Sequence, residues 1–173
     1  MSEMKTGSTL TSYLSFRLGE EMFSADVSKV LEILEMRPIT KVPRSPSYMR
    51  GVINLRGSVL PVLDTRIKFG MPATEDTVDT CIVVLNVMME GEPLTLGALV
   101  DSVEEVLELT ETDIEAPPTI GSKFNPEYLH GMVKMDDTFI MVLNVDKVFS
   151  TDELVVVTET ADKAQPTASE TIQ

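Results

Sequence analysis

Little in this sequence speaks for catalysis. Its 173 residues hold one cysteine, one histidine and no tryptophan. A lone cysteine excludes an internal disulfide. The apolar neighbours of Cys81 read as a buried reduced thiol, which makes the cytoplasm the default location. A lone histidine excludes metal sites of Cys/His spacing. His130 also has no visible partner constellation for acid–base work and reads as a polar surface residue. The chain has no phosphate-cradling glycine motif and no nucleophile elbow. Glu104, Glu105 and Glu108 lack calcium-loop spacing and read as a solvated face, and Asp136-Asp137 reads as a turn. No cofactor is expected. No apolar run approaches the roughly 20 residues of a membrane span, and Met-Ser-Glu-Met-Lys-Thr-Gly-Ser has no signal-peptide core. Positive charge is scarce too: 14 Lys and Arg against 28 Asp and Glu, a net charge of −14. That balance argues against nucleic acid and against anionic membrane surfaces.

What is present is a repeat. The stretch Tyr48 to Phe69 holds two apolar runs, Gly51–Leu55 and Val59–Leu63, around Arg56-Gly57-Ser58. Short apolar runs about a glycine turn predict a β-hairpin, with Gly57 supplying positive φ. Pro61 cannot donate to a ladder, so its strand is expected at an edge or a bulge. The stretch recurs 80 positions on without a gap. Tyr48, Gly51, Val62, Leu63 and Phe69 return as Tyr128, Gly131, Val142, Leu143 and Phe149, while Asp64 becomes Asn144. Upstream, Ala25-x-Val27-x-x-Val30-x-Glu32-Ile33-Leu34-Glu35 returns as Ala98-x-Val100-x-x-Val103-x-Glu105-Val106-Leu107-Glu108. Each half therefore runs hairpin, this motif, a proline-bearing loop, a second hairpin and a phenylalanine.

Two like halves of about five short strands predict a mostly β protein of two similar five-stranded β-barrel subdomains with a few short helices. The expected organisation is a disordered tail over 1–11, a folded domain over 12–154 and a polar tail over 155–173 beginning in a short helix. The subdomains are placed at about 12–72 and 73–154, with exchange of strands between them left open. A helical turn near 27–30 leads into a strand. Cys81–Val87 and Leu94–Val100 read as strands, with a close approach or bulge at Gly97.

The function then rests on a surface. Features shared by both halves belong to the fold; features of one half are the better functional candidates. Arg56 and Gly57 qualify, since Asp136 and Asp137 replace them in the second half. An arginine projecting from a hairpin anchors a partner through forked hydrogen bonds, although a solvated turn residue explains it equally well. Glu32 is placed to pair with Arg56. Val27, Val30, Val100 and Val103 are repeat-related and suit an apolar junction between barrels where a partner helix could lie.

Val30-x-Glu32-Ile33, Thr40-Lys-Val-Pro-Arg-Ser-Pro-Ser-Tyr48, Arg50-Gly-Val-Ile-Asn-Leu-Arg-Gly-Ser-Val-Leu-Pro-Val-Leu-Asp64 and Leu96-Gly-x-x-Val-Asp101-x-Val-x-Glu-Val-Leu107 together resemble the CheW chemotaxis coupling proteins. The likeness spans roughly Tyr13 to Leu154. It implies SH3-like barrels, no catalysis, and an adaptor that joins methyl-accepting chemoreceptors to the histidine kinase CheA. The implied contacts are the kinase's regulatory domain and the receptor's cytoplasmic tip, with a monomer in isolation and rings formed with the kinase. The implied location is the cytoplasm, at receptor arrays on the inner face of the membrane. Carried onto this chain, Val30, Glu32, Gly51, Arg56, Gly57 and Gly97 are the positions where partner binding is expected to be sensitive, joined by Val100 and Val103 at the junction. At 173 residues, a stand-alone coupling protein is expected rather than the kinase's own domain or a CheV protein. A non-flagellar chemosensory pathway, with pilus or second-messenger output, stays open.

Overall fold

A computed structural model describes residues 9–72, 75–89, 91–116 and 126–149. Ten strands follow in order: β1 (Thr11–Leu18), β2 (Glu21–Asp26), β3 (Val30–Glu35), β4 (Met49–Leu55), β5 (Ser58–Asp64), β6 (Cys81–Met89), β7 (Glu92–Val100), β8 (Ser102–Leu109), β9 (Leu129–Met135) and β10 (Thr138–Leu143). Two four-residue helices, α1 (Thr65–Lys68) and α2 (Val145–Val148), follow β5 and β10. Short 3-10 turns lie at Val27–Lys29, Glu111–Asp113 and Pro126–Tyr128. β1 begins at Thr11, the last residue of the expected N-terminal tail; residues 1–8 of that tail, and the terminal helix and tail beyond residue 149, lie outside the described residues.

The strands form two five-stranded sheets, β8-β1-β2-β10-β9 and β3-β6-β7-β5-β4, called barrel 1 and barrel 2 below. Each combines the first hairpin of one repeat with the last three strands of the other. A cut near residue 72 therefore passes through both sheets. The exchange runs through two crossovers: Val27–Lys29 between β2 and β3, and Asp101 between β7 and β8.

Strand periodicity explains why so many strands read as unbroken apolar runs. Successive side chains face opposite sides of a sheet, and here both sides are cores. In β6, Ile82 and Val84 fill barrel 2, while Val83, Leu85 and Val87 face a central core between the barrels. In β10, Ile140 and Val142 fill barrel 1, while Met141 and Leu143 face that same central core. Tyr13 on β1 points into barrel 1, and Phe16 and Leu18 point between the barrels. Aromatic rings knit the central core. Phe23 and Phe69 lie 5.4 Å apart between centroids, Phe69 stacks on Tyr128 at 5.6 Å, and the Lys68 ammonium caps Tyr48 at 4.8 Å.

The repeat is geometric as well as sequential. The Asp64 and Asn144 backbone amides donate to the Tyr48 and Tyr128 carbonyls at 2.6 and 2.8 Å, and each of the two side chains caps the short helix that follows. Gly51 and Gly131 both let a strand from the proline-bearing loop approach, at Thr40 and Glu115. Gly51 also has a φ of 149°, and a Cβ there would run into the Thr40 carbonyl.

Two expectations change. β5 is not an edge strand, since β4 and β7 flank it. Pro61 is tolerated because the parallel ladder to β7 covers only Val62–Asp64, beyond the missing N–H. Cys81 is half-buried rather than buried, because it opens β6 at the end of a loop; its thiol donates to the Asp79 carbonyl at 3.2 Å.

An ionic cluster at the barrel joint was not foreseen. Arg66 is fully buried. Its Nε and Nη2 donate to the Asp64 carboxylate at 2.9 and 3.0 Å, and its Nη1 donates to Asp101 at 2.7 Å. Arg50 joins Asp64 to Asp76. Asp101 also accepts from the Gly19 amide in the β1–β2 turn at 2.6 Å, so the cluster ties barrel 2 to the hairpin of barrel 1. Burial pulls the Arg66 pKa down, but the hydrogen bonds and charges of Asp64 and Asp101 outweigh it and leave it raised.

A candidate partner-binding surface around Glu32 and Arg56

The β4–β5 turn sets the site. Leu55 and Ser58 pair, leaving Arg56 and Gly57 as a two-residue loop with φ of 52° and 89°. Positive φ at both positions is the primed turn whose twist suits a hairpin. Gly57 takes it without strain and with open space around its Cα; Arg56 takes it with a side chain attached. The Asn54 side chain steadies the turn by accepting from the Gly57 amide at 2.8 Å.

From there the Arg56 guanidinium reaches β3, where both of its terminal nitrogens donate to the two carboxylate oxygens of Glu32. The predicted pair is thus present and forked. The hydrogen bond and then the charge of Glu32 raise the Arg56 pKa further above its ordinary value. The pair stays open to solvent, with the Arg56 side chain 69% exposed and that of Glu32 30% exposed. It borders a groove of about 410 Å³ whose walls include Leu31, Leu55, Val59 and Thr95.

β3 is an edge strand of barrel 2. Leu31 and Ile33 stand outward on it, 54% and 44% exposed. Exposed apolar side chains on an unpaired edge invite association. Sequence reasoning did not single out this pair. The signal was the alternation of Leu31, Ile33 and Glu35 on one face, obscured by a register shift between Val30 and Glu32.

The remaining predicted residues fall elsewhere. Val30 and Val103 are half-buried and pack against the central core, whereas Val27 is exposed on its 3-10 turn and stands apart from it. Val100 is fully buried in that core. Gly97 is buried in β7, where a Cβ would lie 2.6 Å from Ile82 Cγ2. Gly51 is buried beneath Thr40. The structure brings Glu32, Arg56 and Gly57 together at the surface, whereas Gly51, Gly97 and Val100 are buried. His130 lies on β9 with its Nε2 3.4 Å from Glu111. Among the described residues, no group of three or more His, Cys, Asp or Glu side chains could hold a metal ion. No described helix is long and apolar enough to cross a membrane.

Comparison with known proteins agrees with this geometry. The profile of the CheW-like domain matches residues 12–153. The chemotaxis protein CheW of Rhizobium meliloti is 36% identical over 140 residues, covering 81% of this chain and 88% of its own. CheW of Treponema pallidum is 31% identical, covering 82% and 83%. Protein FrzA of Myxococcus xanthus is 31% identical over 148 residues, covering 80% and 85%. The crystal structure of the scaffolding protein TtCheW from Thermoanaerobacter tengcongensis superposes with a TM-score of 0.74 at 30% identity, covering 84% of this chain and 91% of that one. Two like barrels sharing exchanged strands, an exposed ion pair beside a groove, and relatives matched along most of their length lead to one conclusion: the chain belongs to the CheW-like family of chemotaxis scaffolding proteins.

Proposed function

We propose that this chain is a non-catalytic adaptor that couples methyl-accepting chemoreceptors to the histidine kinase CheA in a chemosensory array. The observation that carries the reading is the solvent-open Glu32–Arg56 pair beside the groove and the exposed Leu31 and Ile33 of edge strand β3. Such a surface offers a rigid charged anchor and apolar area together, the combination that recognition sites use. Its partners are the kinase's regulatory domain and the receptor's cytoplasmic tip. The protein works as a monomer until it meets the kinase, forms rings with it, and sits in the cytoplasm at the inner face of the membrane. Val30 and Val103 support a second, apolar contact at the barrel junction. Gly51, Gly97 and Val100 affect binding only through the fold.

The test is a titration of the purified chain against the kinase regulatory domain and a receptor-tip fragment, with Arg56→Glu alongside. Wild type is expected to bind both. Arg56→Glu sets a carboxylate against Glu32 and is expected to lose at least one partner by tenfold or more, roughly the effect of one charge-assisted hydrogen-bonded pair, while melting normally. Binding of neither partner by wild type overturns the coupling role. Equal binding by the variant removes Arg56 from the surface.

A further inference from the structure

The barrels meet at two joints that are charge-inverted copies of one another. At a displacement of 80 residues, Arg66, the second residue of α1, corresponds to Asp146, the second residue of α2. Each reaches an opposite charge on a crossover. Arg66 Nη1 donates to Asp101 at 2.7 Å, and Lys29 Nζ donates to Asp146 at 2.9 Å. Each joint also holds a backbone amide from a hairpin of the barrel opposite its helix. The Gly19 amide of β1–β2 donates to Asp101 at 2.6 Å, and the Met88 amide of β6–β7 donates to Asp146 at 2.9 Å. β3 pairs with β6 over Cys81–Leu85 and Met88 lies beyond that stretch, so Asp146 stands where a strand partner would.

The copies differ in burial. The Arg66 side chain is 1% exposed, and its guanidinium is shared between Asp64 and Asp101. The side chains of Lys29 and Asp146 are 29% and 34% exposed. Salt screens a solvent-open pair and leaves a buried one nearly untouched, and an open pair is worth little to begin with. Once the attraction of Lys29 is screened, the Asp146 carboxylate can turn to water, and the Met88 amide then loses its acceptor. What this joint covers is apolar: Val145 and Val148 of α2 and Val87 of β6 all lie in the central core. Lys29 also stands directly before Val30, where β3 begins.

We propose that the Lys29–Asp146 joint is a salt-sensitive latch. When it opens, α2 and the end of the β6–β7 hairpin separate, while the Arg66 joint stays closed and serves as the hinge. Opening uncovers the apolar side of α2 and loosens the start of β3. A joint built from one open pair and one amide yields at a lower cost than one built on a buried arginine, so local opening begins there. The latch belongs to this chain alone and does not depend on the coupling role.

The test is amide hydrogen exchange of the full chain, followed by NMR at about 0.01 M and about 1 M sodium chloride, between which the screening length falls from about 30 to about 3 Å. Rates are divided by those of an unstructured peptide in the same salt. The Met88 amide is expected to lose protection by about fivefold at high salt, the scale of one open ion pair, while the Gly19 amide keeps its protection. Lys29→Met retains the apolar stem and removes the charge. In that variant Met88 is expected to show the lower protection at both salt concentrations, with Gly19 again unaffected. Equal responses of Met88 and Gly19 overturn the proposal, because the barrels then do not part at one joint first. A Lys29→Met variant whose Met88 amide keeps the wild-type protection and salt response overturns it as well.

Discussion

At the residue scale, the repeat acts as an internal control on each side chain. Thr65 is 1% exposed and its hydroxyl has no hydrogen-bond partner among the described residues. It borders a void of about 10 Å³ whose other walls, Phe16, Val83, Val100 and Phe149 among them, are apolar. One hydroxyl cannot hold a water there. The equivalent residue is Val145, 4% exposed, so the fold accepts valine at this place. Thr65→Val keeps the shape and removes the stranded group. We expect it to raise unfolding stability by about 1 kcal/mol, measured as the midpoint in urea; a lower midpoint would show that the hydroxyl is satisfied. Cys81 gives a pH prediction. Burial first, then Asp79 and Glu35, raise its thiol above the ordinary 9.0, against a backbone hydrogen bond at Val103 that lowers it. A folded state that holds its proton more tightly is stabilised below the unfolded pKa and loses that stability as pH rises through the folded value. Stability should therefore fall above about pH 9, and Cys81→Ala should fall less between pH 8 and pH 10 when denaturant midpoints are compared.

At the element scale, the hairpins and the motif-bearing strands were legible, since their signals are local. Glycine turns and short apolar runs put β4 to β7, and through the repeat β9 and β10, close to their observed bounds. The 3-10 turn at Val27–Lys29 followed by β3 resolves the mixed pattern there, because Asp26 caps the turn by accepting from the Ser28 amide at 2.8 Å. The exposed edge of β3 was less legible. Leu31 and Ile33 look like core residues in sequence, and only the sheet order makes their strand an edge. The β4–β5 turn allows fold and function to be separated. Asparagine accepts the positive φ of Arg56 more readily than arginine does, but it is too short to reach Glu32. Arg56→Asn is expected to melt at or above the wild-type temperature and yet lose the partner that Arg56→Glu loses. A variant that melts lower and binds normally would reverse the assignment, making the pair structural.

At the scale of the whole molecule, the barrels cannot be parted by cutting the chain. Each takes a hairpin from one repeat and three strands from the other, and the central core takes side chains from both. Residues 1–72 and 73–173 expressed separately would each leave unpaired edges and an uncovered apolar face. Neither is expected to give the far-ultraviolet spectrum of a folded β protein, and mixing them is expected to restore it. A half that folds alone would mean that its strands re-pair within the repeat. The Arg66 cluster belongs to this scale as well. Removing one partner of a buried ion pair costs about 3–5 kcal/mol, so Arg66 fixes how the barrels sit together more than it serves any surface.

The repeat, the strand and turn signals, the family, and the pairing of Arg56 with Glu32 were all legible from residue type and short-range spacing. Tertiary structure alone decided which repeat supplies which strand to each barrel. Local hydrogen-bond and packing patterns are the same whether a hairpin pairs within its own repeat or with the other. It also decided that Gly51, Gly97 and Val100 lie inside while Leu31 and Ile33 lie outside. A strand with a core on both faces and a strand at an edge carry the same apolar letters, and only the neighbours that the fold provides distinguish them.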